Sequence, residues 1–120
     1  MKAEIRKLYS LEIEDEMSRY RPVEIDNFGT WIRFSVGTIG HPGTDNFDLF
    51  VCTPRWLSED FASDSGARWG RHFLIMKEYN LAAIAAQFER MVLRCSGDNW
   101  QDIALQISRF AAWEFEDYKM

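Results

Sequence analysis

Apolar and polar residues alternate from residue 3 to residue 13: Ala3, Ile5, Tyr9, Leu11 and Ile13 share one parity, and Glu4, Arg6, Ser10 and Glu12 share the other. A period of two predicts a half-buried strand. Lys7 on the apolar side and Leu8 on the polar side mark a bulge or an edge position within it. Residues 14–29 have no period and contain Pro22 and Gly29, which predicts a long loop. Alternation returns from Thr30 to Gly37, with Ile32, Phe34 and Val36 opposed by Arg33 and Ser35. The stretch from Thr38 to Asp45 supplies a turn, so this strand and the next should form a hairpin.

The next strand is the most apolar stretch of the chain. Phe47, Leu49 and Val51 face one side and Phe50 and Cys52 the other, so only Asp48 interrupts burial on both faces, as expected of a strand inside a sheet. Thr53 and Pro54 then read as the cap and first residue of a short helix, with Trp56 and Leu57 folding back onto the core. Residues 62–70, rich in Ser, Asp and Gly, predict a second surface loop, and residues 71–78 another strand, internal because its middle is apolar on both parities. Asn80 caps a helix whose buried face is Leu81, Ile84, Ala85, Phe88, Val92 and Cys95, with Gly97 placed to end it in the left-handed conformation. Asp98 with Gln101 resembles a capping box for a second helix, striped by Trp100, Ile103, Ala104, Ile107 and Ala111. The expected fold is α+β: a largely antiparallel four-stranded sheet with one face covered by a C-terminal helical hairpin, with Phe88 and Trp100 in the core. In the tail, residues 113–118, large rings alternate with acids, the pattern of an extended segment with its rings tucked in.

Composition bounds the rest. A chain of 120 residues that is 47% apolar supports one domain, residues 1–120, with a real core. No run approaches the ~20 apolar residues of a membrane span, and the first nine residues carry charge where a signal peptide needs an apolar run, so a cytoplasmic protein is expected. The two cysteines fall in a predicted strand and on a helix face, which argues for buried reduced thiols. Net charge is −5, a sign that disfavours nucleic acid and anionic membranes as partners. The excess is concentrated: residues 10–28 hold six acids against Arg19 and Arg21, residues 44–64 hold five against Arg55, and residues 81–112 are balanced.

Reactive groups are few. Cys52 and His72 lie on predicted neighbouring strands, but a nucleophilic thiol needs an oriented base and access to solvent, and packing accounts for both. His41 and His72 lack ligand-like spacing to the cysteines, so no metal is expected, and the acid runs at 14–16 and 114–117 read as solvated carboxylates. Gly37, Gly40 and Gly43 belong to a turn, because no helix follows them and the nearby charge is acidic. No cofactor is expected.

Several pieces of the chain together resemble the immunity protein 8 family: Asp26 to Gly29, Phe47 with Asp48, Val51 to Pro54 with Trp56 and Leu57, Gly70 to His72, Ser96 with Gly97 and Trp100, and Trp113 to Tyr118. The resemblance runs from Ile5 to Tyr118 and implies an immunity protein of a bacterial polymorphic toxin system, which binds and blocks a cognate toxin domain. A non-catalytic adaptor for another protein partner is the alternative, and an enzyme comes third. Stoichiometry, whether monomer or small homo-oligomer, stays open. An acidic surface with aromatic anchors complements a basic toxin cleft. The candidate contact residues are therefore Glu14, Asp15, Glu16, Glu59, Asp60, Asp64, Glu114, Glu116 and Asp117, with Trp69 and Tyr20 as anchors.

Overall fold

The structure, a computed structural model, describes residues 1–14, 16–62 and 66–115. Strand β1 (Ala3–Ser10) pairs antiparallel with β2 (Gly29–Thr38), and β2 pairs antiparallel with β3 (Asp45–Cys52). The register of β1 shifts between Ile5 and Lys7. This bulge resolves the broken alternation of the sequence, because it returns Leu8 to the face that carries Ala3 and Ile5. The freed Arg6 folds over the turn that follows β2, donating to the carbonyls of Thr38 (2.7 Å), His41 and Gly43 (3.3 Å). Gly40, with φ of +89°, and a Gly37 that leaves no room for a Cβ between Arg6 and the Gly43 carbonyl make the turn possible.

β3 is inside the sheet, as its two-sided apolar pattern requires. Its inner side chains Phe47, Leu49 and Val51 join Ile32, Phe34 and Val36 of β2 in the core. On the outer face Asp48 lies opposite Arg33 and is held by two hydrogen bonds of 2.8 and 3.0 Å, so the one acid in the strand has a cationic partner. Beside this pair Phe50 is covered by Trp31, Phe73 and Trp56, the last from helix α1 (Pro54–Phe61). The indole of Trp56 lies against Gly29, where a Cβ would stand 2.5 Å from the ring.

The strand expected over residues 71–78 is reduced to β4 (Phe73–Ile75), which lies at the end of the sheet rather than inside it and runs parallel to β3. The α1 crossover carries the chain back along β3 before it pairs, which imposes the parallel direction. His72, in the left-handed conformation at φ of +60°, opens β4, and the bond from Met76 N to Cys52 O closes it. A further two-residue strand, β5 (Ala112–Trp113), pairs antiparallel with the first half of β3, making the sheet five-stranded and mostly antiparallel. Of the tail expected to be extended over residues 113–118, only Trp113 is in a strand: Glu114 and Phe115 turn, Phe115 is 43% exposed rather than tucked in, and residues 116–118 lie outside the described residues.

Helix α2 (Leu81–Leu93) is capped by Asn80 and buries Ile84, Phe88 and Val92, and helix α3 (Trp100–Ile107) buries Ile103, Ala104 and Ile107. Both faces match their sequence stripes. The α3 cap is Asn99, whose side chain accepts from Asp102 N at 3.0 Å, not Asp98. Gly97 is outside the left-handed region and does not terminate α2; it lets the link pass the first turn of α3, because a Cβ there would stand 2.5 Å from that of Asp102. α2 packs most closely on β1, and the inner stripes of both helices join the β2 and β3 side chains in the common core. Trp100 is half-buried at the core margin, where its Nε1 donates to Asp45 at 2.6 Å; Trp113 Nε1 donates to the same carboxylate at 3.0 Å.

Phe34 is the centre of the core, fully buried and with its ring centroid 4.9 Å from that of Phe88 and 5.6 Å from that of Phe47. Phe88→Ala should therefore lower unfolding free energy by about 3–5 kcal/mol. The exposed Leu105→Ala, on the opposite side of its helix, should change it by less than about 0.5 kcal/mol. Chemical denaturation of the two variants checks the assignment of helix faces.

Candidate functional site

The acidic candidates divide between the two ends of β3. At the end where β3 stops, the segment after β1 crosses the mouth of the core before entering β2. Ser10 Oγ accepts from Glu12 N and Ile13 N and turns the chain, and Glu12 accepts from Trp31 N at 2.7 Å. Met17 is buried, and its carbonyl accepts from the Tyr79 hydroxyl at 2.9 Å. Tyr20, Phe28 and Tyr79 form a three-ring cluster with centroids 4.8 to 5.9 Å apart. Tyr20, expected as a partner anchor, is half-buried and holds the loop down. Tyr79 N donates to Ile25 O at 2.7 Å, tying the same loop to the start of α2.

Thr53 closes this end. Its fully buried hydroxyl accepts from Phe28 N at 3.1 Å and caps α1 through Trp56 N, while its own N–H donates to Phe28 O at 2.8 Å. With the loop and helix so joined, three acids converge on Arg55: Glu24, Asp26 at 3.0 Å and Glu59 at 3.3 Å. Hydrogen bonding, first to Glu24 and then to Asp26, raises the Arg55 pKa further above its ordinary value, so it stays charged. Asn27 Nδ2 donates to Glu59 at 2.9 Å and completes the staple. One cation for three carboxylates leaves the cluster negative, and Glu14 and Glu16, both exposed, lie earlier on the same loop, beside β1 and the start of α2. α1 and α2 both begin at this end, so their positive N-terminal dipoles offset part of the repulsion.

Between these acids stand apolar side chains that the sequence did not single out. Val23 is fully exposed and Ile25 is 54% exposed, flanking Glu24. Neither falls in a period, which is why only the absence of structure in the loop hinted at them. Trp69 is 93% exposed and follows Arg68, whose guanidinium pairs with Asp60 at 2.7 Å and lies over the Phe61 ring. The end is thus an acidic platform, fixed from beneath and studded with Val23, Ile25 and Trp69.

Glu114 belongs to the other end of the sheet, where it accepts from Asn46 N at 3.0 Å. Asn46 and Cys52 are six positions apart on β3, which at ~3.3 Å per residue separates the two acidic groups by about 20 Å. Asp15, Asp64, Glu116 and Asp117 lie outside the described residues.

The reactive candidates are not brought together. His72 Nε2 is 3.0 Å from Ser108 O, and Cys52 pairs three positions further along, opposite Ile75. Burial raises the Cys52 thiol, and likewise Cys95, whose Sγ donates to Met91 O at 3.3 Å. Among the described residues no three His, Cys, Asp or Glu are grouped to hold a metal ion, and no helix is long and apolar enough to cross a membrane.

Two predictions follow from the buried groups. Burial also raises the Tyr79 phenol, so the ordinary values of 9.0 for the thiols and 10.0 for the phenol are exceeded only in the folded state. The unfolded chain then releases these protons first, so the stability they contribute is complete below the ordinary values and is lost as pH rises through the folded ones. Denaturation midpoints should be level near neutrality and fall from about pH 9 upward; a level profile through that range contradicts the burial of all three. Tyr79→Phe should cost about 1–3 kcal/mol by leaving the Met17 carbonyl unpaired. Amide exchange should then quicken at Tyr20 and Asn27, whose N–H groups bond within the loop, and stay slow in β2.

Comparison with known proteins gives one family. The model of immunity protein 8 matches residues 3–118. Neither the curated proteins nor the solved structures yield a match. With all but the outermost residues covered by that match, the chain belongs to the immunity protein 8 family.

Proposed function

We propose that this protein protects the cell that makes it by binding a cognate toxin domain in the cytoplasm, one molecule to one, and that the toxin seats on the acidic platform at the end of β3. The reading rests on family membership for the role and on one observation for the place: exposed Val23 and Ile25 flank Glu24 on a loop anchored by Thr53, Tyr20 and Tyr79, and the exposed Trp69 follows Arg68 on the segment after α1. Anchoring matters because a loop already ordered loses less entropy on binding, and apolar side chains ringed by charge supply desolvated contact within a field that steers the partner. Inhibition here is occupancy and involves no turnover.

Co-expression tests the role. Cells carrying the neighbouring toxin domain should survive with this protein and copurify the two in equal amounts, whereas an adaptor rescues none and an enzyme clears toxin at sub-stoichiometric ratio. Glu14→Lys, Glu16→Lys and Val23→Ser test the place. Those side chains support nothing beneath them, so the combined variant should melt within about 2 °C of the parent. Its association rate with the toxin domain should fall by about tenfold or more at low salt and converge on the parent's as salt rises. An unchanged rate at both salt concentrations removes the platform from the interface.

A further inference from the structure

A site of the opposite charge lies at the β4 edge of the sheet. Residues 81–112 carry three acids and three bases, and the structure separates them: Arg90, Arg94 and Arg109 all line one cleft of about 380 Å3 between α2, the end of α3 and the sheet. Among the described residues none of the three guanidiniums takes a carboxylate partner. The inner surface of the cleft is apolar, built from Leu49, Leu74, Phe88 and Met91, and Phe110 stands beside it 54% exposed. In a protein of net charge −5, three unpartnered cations around an apolar cleft form a local field that favours a carboxylate-bearing ligand.

The cleft opens at a free strand edge. β4 ends the sheet, and His72 O and Met76 N bond to β3. By the two-residue period, Leu74 also turns its backbone groups to β3, while those of Phe73 and Ile75 point away. Among the described residues no backbone bond engages Phe73 or Ile75 on that outer side. A strand laid along this edge continues the sheet over the cleft mouth, and every second side chain of it faces the arginines. The ladder bonds and the cleft thus call for the same ligand: an extended chain with acids two residues to either side of an apolar residue.

We propose that the β4 edge and its arginine-lined cleft form a second docking site, which takes an extended acidic segment of a partner protein as an added strand, one apolar side chain entering the cleft and the flanking carboxylates meeting Arg90, Arg94 and Arg109. This site stands apart from the toxin reading, since it rests on the edge and the cations alone.

The probe is a labelled, end-capped peptide, Glu-Val-Leu-Val-Glu, followed by fluorescence anisotropy on the full chain. It should bind, weaken with salt, and bind at least about tenfold more tightly than Lys-Val-Leu-Val-Lys. Arg90→Gln with Arg94→Gln alters two exposed side chains, should leave the circular dichroism spectrum unchanged, and should weaken binding by about tenfold or more. N-methylation separates a ladder from mere charge attraction: methylating either the Leu amide or the two Val amides should abolish binding, and methylating the other set should spare it. Absence of binding, equal binding of the Lys peptide, an unaffected arginine variant, or equal binding of both methylated peptides overturns the proposal. So does a parent that sediments as a dimer dissolved by the same arginine substitutions, which would make the occupant a second copy.

Discussion

The hydroxyl of Thr53 is the group on which the acidic end of the molecule depends. It is fully buried, and a buried donor or acceptor left without a partner costs about 1–3 kcal/mol, so the chain must bring backbone to meet it. Phe28 and Trp56 supply that backbone, which fixes where the long loop enters β2 and where α1 leaves β3. From this junction follow the Arg55 cluster of Glu24, Asp26 and Glu59, the contact of Trp56 with Gly29, and the ring cluster that pins Tyr20. An acidic loop with this many attachments is a shaped surface, not a tether.

Charge is sorted along the sheet in a way that the overall balance hides. Carboxylates gather where β3 ends, a smaller group with Asp45 and Glu114 sits where it begins, and the three arginines of residues 81–112 collect beside β4. The two acidic ends differ in what the acids do. Asp45 accepts from two indoles and Glu114 from the backbone of Asn46, so they fasten α3 and β5 to the sheet; at the first end Glu24, Asp26 and Glu59 staple the loop to α1, whereas the exposed Glu14 and Glu16 fasten nothing. Exposed carboxylates with no structural task are what the proposed binding surface draws on at the first end.

Much of the fold was legible because it is local. The alternation of β2 and β3, the cap and proline at Thr53 and Pro54, and the stripes of α2 and α3 are set by neighbouring residues, and the structure has them. The bulge in β1 was readable from Lys7 and Leu8. β4 was not: its apolar residues looked internal, yet only Phe73, against Phe50, and Leu74, against the core, are packed, while Ile75 is 54% exposed and the edge stays open. Periodicity reports faces and is silent about edges. The cap at Asn99 in place of Asp98 differs by one residue, a shift that periodicity does not register. In the candidate site, the charge runs singled out the loop that the proposal uses, but the role of Tyr20 as an anchor beneath it, and the exposure of Val23 and Ile25, depend on Phe28 and Tyr79 arriving from elsewhere in the chain.

The central claim is that the partner of this immunity protein lands on the acidic platform held by Thr53. Hydrogen exchange with and without the cognate toxin domain, read amide by amide, tests it most directly. The account predicts slowed exchange across residues 16–28 and 54–61 in the complex, with the turn from Thr38 to Asp45 and the amide of Glu114 unchanged. Protection confined to that turn and to Glu114, about 20 Å away along β3, would contradict it.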